Sequence, residues 1–224
     1  GAIIQLYKSM GILQVEGSRI TAQAGCSLAQ IANAALDASL TGFEFAAGIP
    51  GTLGGAVVMN AGAYGGEMKD VLTSVRVMTE EGEVTELPAE ELGLGYRTSI
   101  IPEKRYIVLG AVISLTEGKK EEIKAQMDDL RQKRVSKQPL EYPSAGSTFK
   151  RPEGYFAGKL IQDSGLKGFT VGGAQVSEKH SGFVINKGNA TAADVMELIR
   201  QVTAKVKEDT GVAMELEVKQ IGEF

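Results

Sequence analysis

A glycine-rich, nearly uncharged stretch in the first third of the chain is the first place where the sequence suggests chemistry. Residues 48–55 read GIPGTLGG, and residues 60–66 read NAGAYGG. The spacing is neither that of a P-loop nor that of a GxGxxG fingerprint. Such a backbone can offer N–H groups to a pyrophosphate, or lie flat against an apolar ring, without side-chain clash. The alternative is a buried turn that only solves a packing problem, and composition alone does not separate the two.

Three side chains elsewhere are of types that could handle charge or protons. Arg97 follows Tyr96, and its guanidinium could fork onto a carboxylate or an enolate-like oxygen. Ser147 is flanked by small residues, so its hydroxyl could lie unshielded in a cleft. Glu217 lies on the polar face of an alternating segment near the C-terminus. Taken singly, each is better explained as an ordinary surface or turn residue.

The composition narrows the chemistry further. Cys26 is the only cysteine and His180 the only histidine, which excludes an internal disulfide and a zinc site of Cys/His type. We assign no histidine as a base for Ser147, so a hydrolase role is weak. The net charge of -4 gives no basic footprint for nucleic acid. No apolar run is long enough to span a bilayer, and we find no metal site and no secretory signal.

Mostly strands are predicted for the first half of the chain. Ser27 and Gln30 have the spacing of a capping box, and the helix that they begin should stop at Gly42. Residues 43–66 resist assignment, because they are too apolar for a solvated loop. Alternating or β-branched patterns predict strands over residues 3–6, 12–15, 20–24, 71–78, 84–87 and 106–115.

Helices and strands mix in the second half. Thr191 and Asp194 form another capping-box pair before an amphipathic stripe, and strict alternation predicts a closing strand over residues 213–221. A composition shift places a domain boundary near residue 117. Further elements are predicted over residues 118–134 and 157–164 as helices and over 182–186 as a strand. The predicted class is α+β with two lobes.

Taken together, these segments resemble the UDP-N-acetylenolpyruvoylglucosamine reductases. The motifs GIPGTLGGAVVMNAGAYGG, GYRTSI, KQPLEYPSAGSTFKRP, AGKLIQDSGLKGFTVGGAQVSEKHSGFVIN and ELEVKQIG occur in the order and rough spacing of that family. The resemblance is to its shorter variant, which has a compact substrate lobe. It spans residues 1–222, and several long motifs in register are far more specific than any single pattern.

The resemblance implies a fold and a reaction. The expected fold is the second part of a vanillyl-alcohol-oxidase-like FAD-binding domain in residues 1–116, followed by a smaller α+β substrate-binding domain in residues 117–224. The cofactor would be FAD, with NADPH as the electron donor. The substrate would be the enolpyruvyl ether of UDP-N-acetylglucosamine, which receives a hydride at C3 and a proton at C2. The product is a peptidoglycan precursor, and the enzyme is expected in the cytoplasm.

The resemblance also carries roles onto individual residues. Arg97 and Glu217 match the pair that stabilises the enolate, where Glu217 would donate a hydrogen bond and must be protonated or tightly coupled to a neighbour. Ser147 matches the proton donor. Tyr96 and Lys137 match substrate-binding residues, and the lysine suits a diphosphate. The residues that match flavin-contacting backbone are Gly48, Ile49, Pro50, Gly51, Gly54, Gly55, Asn60, Ala61, Gly62 and Ala63.

One departure from the family pattern limits these expectations. Family members usually begin with a further lobe that carries the first half of the FAD site, including a Gly-rich turn ending in Ser-Asn, and nothing here matches it. We therefore expect this polypeptide alone to bind FAD weakly or not at all, and to be inactive. Two alternatives stay open, an oxidase of the same flavin superfamily and a non-catalytic module that binds a UDP-sugar. The oligomeric state does not follow from the sequence.

Overall fold

The computed structural model describes residues 3–7 and 9–222. The chain forms two compact units, Gly1–Lys133 and Arg134–Phe224. Each unit is described by itself. The division falls after Lys133, inside a long helix, whereas the sequence placed a domain boundary near the start of that helix. The assignment of the two regions to flavin and substrate stays a prediction.

The first unit is built mainly from β-strands, with two short helices between them. Single 3-10 turns occur at Glu44–Ala46, Met68–Asp70 and Ala89–Leu92. The strands and helices, in chain order, are β1 (Leu13–Glu16), β2 (Arg19–Gln23), α1 (Leu28–Asp37), β3 (Leu40–Thr41), α2 (Leu53–Val58), β4 (Gly62–Ala63), β5 (Gly66–Glu67), β6 (Leu72–Met78), β7 (Val84–Pro88), β8 (Ile107–Ser114), β9 (Thr116–Glu117) and α3 (Lys120–Lys137), which continues into the second unit.

A five-stranded antiparallel sheet forms the frame of the first unit, in the order β1-β2-β8-β6-β7. Ala111 of β8 lies opposite Ala22 of β2 on one side and Val75 of β6 on the other. The helices α1 and α2 bury their apolar faces on this sheet, because alternate strand residues such as Ile20 and Ala22 point into the core. The hairpin of β4 and β5 lies outside this sheet and, as shown below, carries part of the candidate site.

The second unit combines a smaller sheet with two helices. Its elements are β10 (Ser144–Ser147), α4 (Ala157–Asp163), β11 (Thr170–Val171), β12 (Ala174–Val176), β13 (Phe183–Asn186) and α5 (Ala192–Thr210). The sheet is antiparallel, in the order β10-β13-β12-β11. The apolar stripe of α5 packs into a separate core with Ile161 of α4 and Val176 of β12, and its members are Leu198, Ile199, Val202 and Val206.

Both predicted capping boxes are confirmed. The Ser27 side chain accepts from the Gln30 N–H at 3.2 Å, and Gln30 Oε1 accepts from the Ser27 N–H at 2.8 Å. Thr191 and Asp194 make the same reciprocal pair at the start of α5. Each pair satisfies two N–H groups that the first turn of a helix leaves without partners. The predicted helices and strands between residues 71 and 134 also form, with bounds shifted by a few residues.

Three predicted features are wrong. Residues 3–6 form no strand. The helix α1 ends at Asp37 rather than at Gly42, because Ser39 takes a positive φ of 56° and the chain turns back into β3. The predicted closing strand over residues 213–221 is reduced to one bridge between Phe149 and Leu216. Its partner segment soon reaches Pro152, which has no N–H to extend the pairing.

Replacing Thr191 with alanine should lower the free energy of unfolding of the second unit by about 1 kcal/mol, the usual cost of losing a helix cap. The hydroxyl that accepts the Asp194 N–H at 3.1 Å would be lost. Urea unfolding followed by circular dichroism measures the change. Thr203→Ala, inside the same helix, is the matched control and should be neutral or slightly stabilising, because alanine has the higher helix propensity. Equal losses in both variants would contradict this role of Thr191.

Candidate functional site

The first part of the glycine-rich segment leads into α2 and is fixed to the rest of the first unit by backbone hydrogen bonds. The Leu53 N–H donates to the Cys26 carbonyl at 2.8 Å, and the Gly54 N–H donates to the Ala24 carbonyl at 2.9 Å. Ile49 is half-buried, and its N–H donates to the Ala46 carbonyl at 3.0 Å. This stretch is therefore ordered by the protein itself, although four of the predicted flavin contacts stay exposed, namely Gly48, Pro50, Gly51 and Gly55.

The glycines of this segment fall into two groups. A Cβ on Gly54 would lie 3.0 Å from the Ala24 Cβ, so close packing explains that glycine. A Cβ on Gly51 would meet nothing within 4 Å, and one on Gly55 would meet only Thr52 Oγ1 at 3.9 Å. Packing within the protein does not require the last two to be glycine. Their open backbone has the form that a flat ring or a pyrophosphate can approach closely.

The side chain of Asn60 joins three parts of the chain. It is fully buried, and its Nδ2 donates to Glu67 Oε2 at 2.8 Å and to the Gly95 carbonyl at 3.0 Å. Its Oδ1 accepts from the Lys69 N–H at 2.9 Å. A buried amide left without partners would destabilise the fold, so these bonds fix the relative positions of the segments that they join.

Arg97 lies in a tight turn that Asn60 holds against the glycine-rich segment. Gly95 and Thr98 exchange backbone hydrogen bonds of 3.2 and 3.3 Å across the turn. Arg97 has a positive φ of 56°, a backbone conformation that a type II turn requires at its third position and that favours glycine. Its Nη2 donates to the Gly62 carbonyl at 3.2 Å, and its guanidinium lies 5.1 Å from the centre of the exposed Tyr96 ring.

The charges around this turn include a carboxylate that the sequence did not single out. Glu67 lies opposite Gly62 in the β4–β5 hairpin, and its Oε2 lies 3.0 Å from Lys69 Nζ. The hydrogen bond from Lys69 holds the pKa of Glu67 below its usual value, partial burial opposes this, and the Asn60 amide and the charge of Arg97 add to the lowering. The Glu67 carboxylate therefore stays ionised among these groups near neutral pH.

The other predicted flavin contacts lie in or beside this hairpin. Ala61 is buried, and its carbonyl accepts from the Met68 N–H at 3.0 Å. Gly62 and Ala63 form β4 and are half-buried. A Cβ on Gly62 would lie 2.7 Å from the Glu67 Cγ, so this glycine is needed for the hairpin to close. The structure thus brings Arg97 and the residues around Asn60 together within the first unit.

In the second unit, Ser147 ends the irregular edge strand β10. The pairing of β10 with β13 shifts register between Ser144 and Ser147, and Gly146 takes a positive φ of 84° within that irregularity. Ser147 is half-buried, and its hydroxyl donates to the Phe149 carbonyl at 3.3 Å. This is a long hydrogen bond for a hydroxyl donor, so the Phe149 carbonyl only weakly fixes the direction of the O–H group.

Glu217 lies beside the serine segment. Its N–H donates to the carbonyl of Thr148 at 2.9 Å, and Thr148 directly follows Ser147. A second bond, from the Lys150 N–H to the Glu215 carbonyl at 2.8 Å, continues this short pairing. Glu217 is half-buried rather than fully solvated. The structure therefore brings the chain segments of two of the three predicted catalytic residues together within the second unit.

His180 and Ser147 both lie beside Gly182 in the second unit. The position that a Cβ on Gly182 would occupy is 3.0 Å from the His180 Cε1 and 3.7 Å from the Ser147 Oγ. The His180 Nδ1 accepts from the Gly182 N–H at 3.1 Å, so a neutral imidazole carries its proton on Nε2. Burial lowers the pKa of His180, which favours the neutral form.

The remaining predicted site residues are less enclosed. Lys137 is exposed at the last residue of α3. Arg97 belongs to the first unit, and Ser147 and Glu217 belong to the second, so the meeting of all three at one site stays a prediction. Sequence reasoning missed the side chains of Asn60, Glu67 and Lys69 as a group. The available signal was a polar residue, Asn60, inside an apolar stretch, where a buried amide must find partners.

Two further findings concern the described part of the chain. Within it, no group of three or more His, Cys, Asp or Glu side chains is placed to hold a metal ion. No helix in the described ranges is both long and apolar enough to cross a membrane.

Comparison with known proteins covers both units. Residues 1–88 match the family model of the FAD binding domain, and residues 138–221 match that of the UDP-N-acetylenolpyruvoylglucosamine reductase C-terminal domain. The crystal structure of UDP-N-acetylenolpyruvylglucosamine reductase from Thermus caldophilus superposes with a TM-score of 0.79 at 39% identity, over 96% of this chain and 74% of that one.

Curated relatives of the same name are more similar in sequence. The relative from Agathobacter rectalis is 64% identical over 92% of this chain, and the match covers 65% of that relative's own length. The relative from Caldanaerobacter subterraneus is 58% identical over the whole of this chain, and the match covers 74% of that relative's own length. The chain thus covers from just under two thirds to about three quarters of these relatives. It belongs to the UDP-N-acetylenolpyruvoylglucosamine reductase family.

Proposed function

We propose that this chain carries flavin- and substrate-binding residues of an FAD-dependent reductase. Its substrate is the enolpyruvyl ether of UDP-N-acetylglucosamine, NADPH provides the electrons, and the product is UDP-N-acetylmuramate for peptidoglycan synthesis. The observation that carries the proposal is the fixed turn of Arg97, which Asn60 and Gly62 hold against a glycine-rich backbone. The names of the relatives and the match to an FAD binding domain support the same reaction.

The first unit offers a surface that fits the cofactor. The backbone at Gly51 and Gly55 is open, and a ligand can approach it without meeting a side chain. Once bound and reduced by NADPH, the flavin would supply the hydride that adds to C3 of the enolpyruvyl group. The protein must then bind the diphosphate, order the ring system and exclude water around it. Backbone N–H groups and apolar neighbours are suited to those tasks, and none of them requires a metal.

Arg97 would stabilise the negative charge that develops on the enolate. Hydride addition at C3 leaves that charge on the carboxylate and C2. A guanidinium is permanently charged and presents planar donors, which match two oxygens of a carboxylate. The positive φ of Arg97 sets the direction in which its side chain leaves the backbone. The bond from its Nη2 to the Gly62 carbonyl then holds the guanidinium in position. A group already in position loses little further freedom when charge develops.

Ser147 and Glu217 would complete the reaction from the second unit. The weakly bonded hydroxyl of Ser147 can turn toward C2 and donate its proton there, because its present acceptor lies 3.3 Å away. Glu217 would donate a hydrogen bond to the enolate, and its backbone bond to Thr148 places it beside the serine segment. We assign Lys137 to the diphosphate and Tyr96 to the substrate, since both side chains are exposed and accessible.

The two alternatives make different predictions for the same protein. An oxidase of the flavin superfamily would oxidise an alcohol or sugar and would not reduce the enolpyruvyl ether. A UDP-sugar binding module would bind the nucleotide sugar with no flavin. Substrate-dependent reoxidation of reduced flavin supports the reductase alone. We propose a cytoplasmic location because the nucleotide substrates are made there, and we propose no nucleic-acid or membrane partner.

Replacing Gly51 with valine should weaken FAD binding without loss of stability. The new side chain meets no protein atom within 4 Å at its Cβ, yet it would project from the backbone that the flavin approaches. We expect an increase of about tenfold or more in the FAD dissociation constant, the effect of losing one good contact. Flavin fluorescence titration of a protein that also contains the family's front flavin lobe measures it.

Gly54→Ala is the matched comparison for this test. Its Cβ would press on Ala24 at 3.0 Å, so it should lower the free energy of unfolding by about 1–3 kcal/mol, as overpacking usually does. Unchanged FAD affinity in Gly51→Val would remove the glycine-rich segment from the flavin site.

Arg97→Lys and Ser147→Ala should each slow the reoxidation of reduced flavin by the enolpyruvyl substrate about a hundredfold or more. The lysine keeps the charge and loses the planar fork, and the alanine loses the donated proton. Reduction of the flavin by NADPH should be much less affected, since neither group acts in that step. In a protein that also contains the family's front flavin lobe, stopped-flow absorbance at the flavin band separates the two half-reactions.

Ser144→Ala, in the same strand with an exposed hydroxyl, controls for the loss of a serine. Wild-type reoxidation rates in Arg97→Lys and Ser147→Ala would contradict their assigned roles.

A polypeptide limited to these 224 residues should bind FAD weakly and show no reductase activity. By the family resemblance, part of the flavin site lies in a Gly-rich turn ending in Ser-Asn, and the sequence contains no such turn. Absorbance of the purified polypeptide near the flavin maximum, followed by titration with FAD, measures the binding. A flavin band that co-purifies with this polypeptide in equal amount would overturn the expectation.

A further inference from the structure

We propose that Glu67 is a positioning residue for Arg97, and that it acts through the buried amide of Asn60. The inference rests on the proposed function, since it gives Glu67 a task in the reaction for which Arg97 is needed. In this proposal Glu67 itself touches neither the substrate nor the flavin. All the groups involved lie in the first unit.

The geometry places Glu67 at the end of a short chain of hydrogen bonds that leads to the Arg97 turn. Asn60 Nδ2 divides its two protons between Glu67 Oε2 at 2.8 Å and the Gly95 carbonyl at 3.0 Å. Gly95 and Thr98 close the turn that carries Arg97. An acceptor at the Glu67 position therefore favours the amide orientation in which the NH2 group, and not the oxygen, points toward the Gly95 carbonyl.

Glu67 is itself held in place from several directions. Its N–H donates to Asp70 Oδ2 at 2.8 Å, and its carboxylate forms an ion pair with Lys69 Nζ at 3.0 Å. The Lys69 N–H occupies the other side of the Asn60 amide, at Oδ1. With both sides of the amide engaged, flipping it would place an oxygen against a carboxylate and an NH2 group against an N–H.

The turn needs this support because its conformation is unfavourable by itself. Arg97 takes a positive φ of 56°, which costs a non-glycine residue free energy and persists only where the surroundings enforce it. Two further bonds hold the same turn, from Ser99 Oγ to the Val58 carbonyl at 2.6 Å and from Arg97 Nη2 to the Gly62 carbonyl at 3.2 Å. Of these hydrogen bonds to the turn, the one from Asn60 Nδ2 to the Gly95 carbonyl comes from a group that Glu67 also binds.

The test compares Glu67→Ala with Glu67→Gln. Glutamine keeps a side-chain oxygen that can accept from Asn60, whereas alanine removes the acceptor. In the 224-residue chain without flavin, NMR-detected hydrogen exchange at the Gly95 and Thr98 amides should rise about tenfold in Glu67→Ala, the effect of losing a hydrogen bond to a charged acceptor. Exchange in Glu67→Gln should stay within about threefold of wild type.

A protein that also contains the family's front flavin lobe, loaded with FAD, gives the second readout. Reoxidation of reduced flavin by the enolpyruvyl substrate should slow about tenfold to a hundredfold in Glu67→Ala, because a small displacement of a reacting group has effects of that size. Flavin reduction should keep its wild-type rate, which a general loss of structure would not allow. Glu67→Gln should recover most of the reoxidation rate. Glu80→Gln, which removes the exposed pair with Arg105 at 2.8 Å, is the control.

Three outcomes would overturn the proposal. These are unchanged exchange at the turn in Glu67→Ala, equal slowing of both half-reactions, and failure of Glu67→Gln to recover what Glu67→Ala loses. Failure of the unsubstituted protein with the front flavin lobe to reduce the enolpyruvyl substrate would instead refute the proposed function. The exchange comparison does not depend on activity, so it would still decide whether Glu67 positions the turn.

Discussion

The first unit depends on one buried amide. Asn60 is closed to solvent, and its side chain bonds to the β4–β5 hairpin at Glu67, to the Lys69 N–H and to Gly95, which lies 35 residues away. A buried amide without partners would cost on the order of 1–3 kcal/mol, so the three segments are stable only in the arrangement that satisfies it. The glycine-rich backbone, the hairpin of β4 and β5 and the turn of Arg97 are thereby fixed together.

The second unit solves the same problem with a different residue. Thr148 is buried, its N–H donates to the Gly182 carbonyl at 2.9 Å, and its Oγ1 accepts from the Val184 N–H at 3.1 Å. Its carbonyl accepts from the Glu217 N–H. Ser147 precedes this fixed point and Glu217 lies beside it. In both units a fully bonded, buried polar residue stands next to the candidate reactive groups, which gives them defined positions while leaving their own side chains accessible.

The sequence predicted those parts of the fold whose causes are local. Capping boxes at Ser27 and Thr191 depend on residues three positions apart, and the strands of the main sheet follow from alternation. Residues 43–66 could not be assigned because their structure depends on distant partners, such as the bond from Asn60 to Gly95. The closing strand failed for the opposite reason. Residues 213–221 alternate as a strand should, but most of them find no neighbour to pair with.

The glycines show most clearly why composition cannot identify a site. Gly54 and Gly51 lie in one motif, and as letters they are indistinguishable, yet only Gly54 has a neighbour that would crowd a side chain. A glycine that packing requires says nothing about ligands. A glycine in open space, in a segment that the protein holds rigid, has no internal reason to lack a side chain. The difference appears only once the surrounding atoms are known, and it directs attention to the outer face of this segment rather than to the segment as a whole.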